Sequence, residues 1–168
     1  MTPAGTVNRL LDDIAAIVMS VDDATYVARP VAAISGSVGE HVRHCLDHIA
    51  ALIGASAAAP LSYDRRERGT TVERDPAEAL RLIMRLKSAV DRWSERSMDE
   101  PLCVTSQLTA FGDSVTGWST LGRELAFVNA HTIHHQAMIA VLLSIAGLEV
   151  PEGLGVAPAT PRRQSGAM

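Results

Sequence analysis

The stretch HTIHHQAMI, residues 131–139, sets three histidines within five residues of an otherwise apolar run. A second window, HVRHCLDH, carries His41, His44 and His48, so all six histidines of the chain fall in two short segments. Residues i and i+4 of a helix lie about 40° apart on one face. His131 and His135 have that spacing, the one by which helical sites such as HExxH chelate a metal. His41, His44 and His48, at i, i+3 and i+7, also share a face. A single histidine on an apolar face is most often a satisfied core residue. Two clusters at ligand spacing are harder to read that way, because each unpartnered buried imidazole costs on the order of a few kcal/mol. A divalent cation held between the two helices removes that cost.

Helix rise sets the expected ligands. His41 and His48 would lie roughly 10 Å apart along their axis, so both cannot easily reach an ion held by His131 and His135. One ligand from the first window is favoured, with His44 central. His134, about 100° round from His135, suits the rim, although a His131/His134 pair stays open. Three neutral imidazoles leave a metal its full charge and at least one open position, the pattern of catalytic sites and not of closed structural ones. Zinc fits best, and nickel or ferrous iron fit almost as well. Thr132 stands where HExxH has its glutamate, which argues against a zincin peptidase.

Other residues could add chemistry. Glu124, seven before His131, shares its face and could orient a ligand or act as a base; it is equally an acidic residue suited to a helix N-terminus. Arg65, Arg66 and Arg68 of YDRRERG could hold the carboxylate or phosphate of an anionic cosubstrate. The plainer reading of that run is a solvated one, with Asp64 and Glu67 pairing internally. Asp47, four after Arg43, reads as a helix-surface pair. Cys45 points about 100° away from His44 and is not counted as a ligand. No Ser-His-Asp arrangement or phosphate loop is present.

Four long helices must position these residues. Val7, Leu10, Leu11, Ile14, Ile17 and Val18 give the first helical period, over about 6–20. The second helix opens at Ser37, with Glu40 closing a capping box, and runs to about Gly54. Asp75 caps the third, Pro76 takes its first position, and the apolar period carries on to about Arg96. The fourth begins near Ser119 or Thr120 and ends at Gly147, with Pro151 beyond. VDDATYVARP suggests a short extra helix, and residues 59–74 read as a long loop. The β-prone runs of PLCVTSQLTAFGDSVTGWST suggest a short hairpin before the last helix. The expected fold is all-α, a four-helix bundle with two long connections. It forms one domain over residues 1–150, followed by an extended Pro- and Gly-rich tail at 151–168.

The chain has 168 residues, enough for one domain with a substantial core, and only 4% are aromatic. A net charge of −4 with interspersed signs offers no nucleic-acid footprint. No apolar run reaches the roughly 18 residues that span a bilayer. The first residues lack a signal-peptide pattern, and the two cysteines make no disulfide framework. A cytoplasmic location is expected.

SVGEHVRHCLDH and HTIHHQAMI, in this order within a helical bundle, resemble the two metal-ligand motifs of the DinB-like superfamily. Those proteins are four-helix bundles that include bacterial thiol S-transferases. The resemblance spans about residues 6–148 and places the family's metal triad on His44, His131 and His135. It implies a metal-dependent enzyme that transfers a low-molecular-weight thiol to an electrophile, working as a homodimer on a small-molecule substrate. Metal-assisted hydrolysis on the same ligands, or a non-enzymatic metal-binding stress or sensor protein, are the competing readings. The tail could also fold over the bundle mouth and bring Arg162 or Arg163 near the site.

Overall fold

In a computed structural model the described residues are 2–30, 35–56, 59–64, 67–93 and 96–160. The order is α1 (Pro3–Met19), α2 (Asp23–Val27), α3 (Val38–Ile53), α4 (Pro76–Val90), β1 (Pro101–Gln107), β2 (Ser114–Thr120) and α5 (Leu121–Ile145). A 3-10 turn, Thr71–Glu73, precedes α4. The four long helices close a ring in which α1 touches α4 and α5, and α3 touches α4 and α5. Their inward stripes, among them Leu11, Ile14, Leu46, Ile49, Leu52, Ile83, Leu125 and Ile139, form one buried core.

Local chemistry sets the helix starts. Thr2, Ser37, Asp75 and Thr120 each accept a backbone N–H at their helix N-terminus. At α3 the capping box is complete, with Glu40 N–H donating to Ser37 Oγ (3.2 Å) and Ser37 N–H to Glu40 Oε2 (2.8 Å). α5 carries apolar residues on every side, so its inner face packs while Val141 and Ile145 stay exposed.

Three expectations need correction. The fold is mostly helical but not all-α: β1 and β2 pair antiparallel from Pro101↔Thr120 to Gln107↔Ser114. This hairpin is joined to the 59–74 segment, since Leu61 N–H donates to Cys103 O and Thr105 N–H to Leu61 O, each at 2.8 Å. That segment is therefore anchored, and Asp64 accepts Gln107 N–H at 2.7 Å. The third long helix stops at Val90, where turns take over and bring the Arg96 guanidinium over the buried Trp93 ring at 4.5 Å. The tail is not extended over 151–160. Gly153 and Gly155 have φ of +80° and +72° and allow successive turns. Gly155 sits so close to α5 that a Cβ would lie 2.4 Å from the Ala137 backbone. Residues 161–168, with Arg162 and Arg163, lie outside the described residues.

Candidate metal centre

α3 and α5 pack side by side, and their histidine windows face each other across the seam. His41 meets His135 at one end, through the two Nδ1 atoms at 2.9 Å. His44 Nε2 lies 2.8 Å from His131 Nε2, which in turn lies 3.1 Å from His135 Nε2. At the other end His48 stacks on His131, with ring centroids 4.1 Å apart and planes 17° from parallel. His134 is exposed and only borders the cluster, its ring 5.2 Å from that of His135.

Ring nitrogens of His44, His48 and His131 all fall within 4.8 Å of one another, a grouping that could hold a metal ion. His48 is therefore part of the cluster, a role that helix spacing alone left unassigned. Its Nδ1 faces the His44 carbonyl oxygen at 3.0 Å. A proton on Nδ1 donating there leaves the Nε2 lone pair for a cation.

The third ligand can be weighed by geometry. Imidazoles sharing one tetrahedral ion splay outward, with nitrogens about 3.3 Å apart and ring centroids about 5 Å apart. The His44–His131, His131–His135 and His44–His135 rings are 4.9, 4.7 and 4.5 Å apart and steeply inclined. The near-parallel stack of His48 on His131 departs furthest from that pattern. The His44–His48 rings also fit that pattern, 4.5 Å apart and inclined by 77°, so beside His44 and His131 the ring geometry admits either His135 or His48.

Burial disfavours the charged form of two of these rings, His135 and His41. Desolvation, reinforced by neighbouring His131 and His41, pulls His135 down to about 3. Desolvation likewise lowers His41, against the pull of Glu40. Cys45 is buried on the same helix, its thiol pushed up to about 12 by desolvation, and so is a poor metal thiolate.

Glu124 is buried, and among the described residues its carboxyl oxygens accept from no histidine. Ser119 Oγ donates to its Oε1 at 2.6 Å and the Tyr63 hydroxyl to its Oε2 at 3.1 Å. The Tyr63 ring then stacks on His48, 5.1 Å away and 5° from parallel, with Phe127 5.0 Å from Tyr63. Glu124 thus reaches the cluster through Tyr63, a residue the sequence analysis did not single out. Tyr63 arrives through the Leu61–β1 pairing, a contact with no local sequence signal.

Arg43 is more than a surface partner of Asp47. It is buried and donates to Glu73 Oε1 (2.9 Å) as well as Asp47 Oδ2 (2.7 Å), tying α3 to the 3-10 turn. Arg65 and Arg66 lie outside the described residues. On the side of His41, His44 and His135 the cluster opens onto a cavity of about 470 Å³, also lined by Arg29, Glu40, Arg43, Arg68 and Glu73.

A helical ring with paired histidine windows facing an open cavity defines a class of helical metal-site proteins. A family match, the DinB superfamily, covers residues 7–139, and the chain belongs to that superfamily, whose members bind metal. A curated relative, FK506-binding protein 5 of Rhizopus delemar, is 34% identical over 101 residues, 60% of this chain. The match covers 26% of that relative's length. No solved structure matches the chain. No helix among the described residues is long and apolar enough to cross a membrane.

Proposed function

We propose that this protein is a metal-dependent enzyme acting on a small molecule, with His44, His131 and His135 as ligands. The reaction that best suits the site is transfer of a low-molecular-weight thiol to an electrophile. One observation carries the enzymatic reading: two of the three ligand rings, His44 and His135, are not sealed in the core but line the 470 Å³ cavity. A storage or sensor protein has no use for an open coordination position beside a cavity. A zinc, nickel or ferrous ion so held acidifies a bound water or holds a thiol as thiolate. The histidines supply the donors, and the ring of His48, stacked on Tyr63 with Phe127 beside it, packs at the opposite end. Metal-assisted hydrolysis uses the same ligands and is the second reading.

Metal content of untagged protein purified without added metal tests the site. About one ion per chain is expected, lost in His44→Ala, His131→Ala and His135→Ala and retained in His48→Ala. Metal retained in the first three variants would overturn the ligand set. Cobalt-substituted protein then separates the reactions, because thiol transfer requires added thiols to shift the metal's visible spectrum. The apolar outer stripe of α5 suits the homodimer that family resemblance implies, and sedimentation of the purified chain tests it.

A further inference from the structure

His41 is 6% exposed, yet its Nε2 is buried and has no hydrogen-bond partner among the described residues. A buried polar atom left so is costly and calls for a partner. The metal reading fixes what that atom is. If His135 binds an ion through Nε2, its remaining proton must sit on Nδ1. That N–H faces His41 Nδ1 at 2.9 Å, so His41 must accept there and carry its own proton on Nε2. The opposite arrangement would place a proton on His135 Nε2 and block the metal. The unpartnered atom is therefore an N–H donor, on a residue that lines the cavity beside His44 and His135.

The cavity's charges narrow the acceptor further. Arg29 is committed to Glu40, and Arg43 to Glu73 and Asp47. Arg68 lines the same space and makes no ion pair among the described residues. Gly36 borders it with φ of +107°, and a Cβ there would stand 3.7 Å from His41 Nε2.

Resting on the metal reading above, we infer that the cavity binds a small molecule through a carboxylate received by His41 Nε2–H and Arg68, leaving its reactive end at the histidine cluster. One unpaired guanidinium and one neutral N–H match a monoanion better than a phosphate dianion. His41 is a binding residue for substrate on one side and a positioning residue for His135 on the other.

The test uses the full chain, with zinc content measured on every sample. Calorimetry compares 3-mercaptopropionate with its neutral counterpart 3-mercapto-1-propanol. The carboxylate is expected to bind about tenfold tighter, as a charge-assisted hydrogen bond warrants. His41→Asn keeps an acceptor where Nδ1 stands but removes the Nε2–H; Arg68→Ala changes an exposed side chain and leaves the core alone. Each should abolish the preference, and Arg68→Ala should do so with zinc content and the affinity for the neutral thiol unchanged. Equal affinities in the parent, or a preference that survives both variants, overturn the proposal. Inorganic phosphate competing more strongly than acetate overturns the carboxylate assignment. Failure of the metal reading looks different: no zinc and no binding of the neutral thiol. In that case the cavity proposal stands only if 3-mercaptopropionate binding still depends on His41 and Arg68, and falls if it does not.

Discussion

At the scale of single residues, Glu124 shows how geometry assigns a role that spacing left open. Both its oxygens accept hydrogen bonds, from Ser119 and Tyr63, and the Tyr63 ring stacks on His48. Burial, with Glu124 alongside, drives the Tyr63 hydroxyl well above its ordinary range, so it stays a protonated donor. Such a carboxylate acts as a buried anchor that sets the position of the aromatic wall. Glu124→Ala should lower stability by about 1–3 kcal/mol, the cost of leaving two donors without their acceptor, while metal content stays at the parent level. Thermal unfolding and metal analysis of the same preparation check this. Unchanged stability with lost turnover would instead identify a base that acts on substrate. The same scale shows why spacing left the role of His48 open. The axial distance between His41 and His48 was set against one ion, whereas the α3–α5 seam engages both along its length. His48 is four after His44, the spacing that singled out His131 and His135.

At the scale of elements, the fit of α3 against the 3-10 turn depends on one missing side chain. A Cβ at Gly39 would lie 2.2 Å from the Glu73 carbonyl oxygen and 2.5 Å from the Tyr26 ring. The close approach lets the Tyr26 hydroxyl donate to Val72 O at 2.8 Å and brings Glu73 within reach of Arg43. Gly39→Ala should therefore cost about 3 kcal/mol or more, since backbone and a packed ring must both shift. A chemical-denaturation midpoint equal to that of the parent would show that the contact yields. Helix starts were legible from capping residues because a cap is local: Ser37, Asp75 and Thr120 all cap as expected. The end of α4 was not, because no glycine or proline marks Val90. The hairpin was visible in its β-prone runs. Its pairing with Leu61, which carries Tyr63 to the cluster, is long-range and leaves no trace in the local pattern.

At the scale of the whole molecule, the histidine seam couples folding to protons. A free imidazole has an ordinary value of 6.5, whereas burial and then the neighbouring His131 and His41 hold His135 down to about 3. Below about pH 6.5 the unfolded chain takes up a proton at this position that the folded chain refuses. The unfolded state then binds more protons, so stability falls as pH drops from 6.5 toward 3. Above that window this group adds no pH dependence. His41, lowered by burial, works in the same direction. Chelator-treated protein should lose thermal stability steadily between about pH 7 and 5, before carboxylates begin to titrate. His135→Gln, which keeps a polar group and removes the proton site, should flatten that slope. In the metal-loaded protein the same protons compete with the cation, so acidification should release metal over a range set by all three ligands together. A thermal midpoint that stays level from pH 7 to 5 in the chelated parent would mean that the seam opens to water and holds its imidazoles no more tightly than the unfolded chain does.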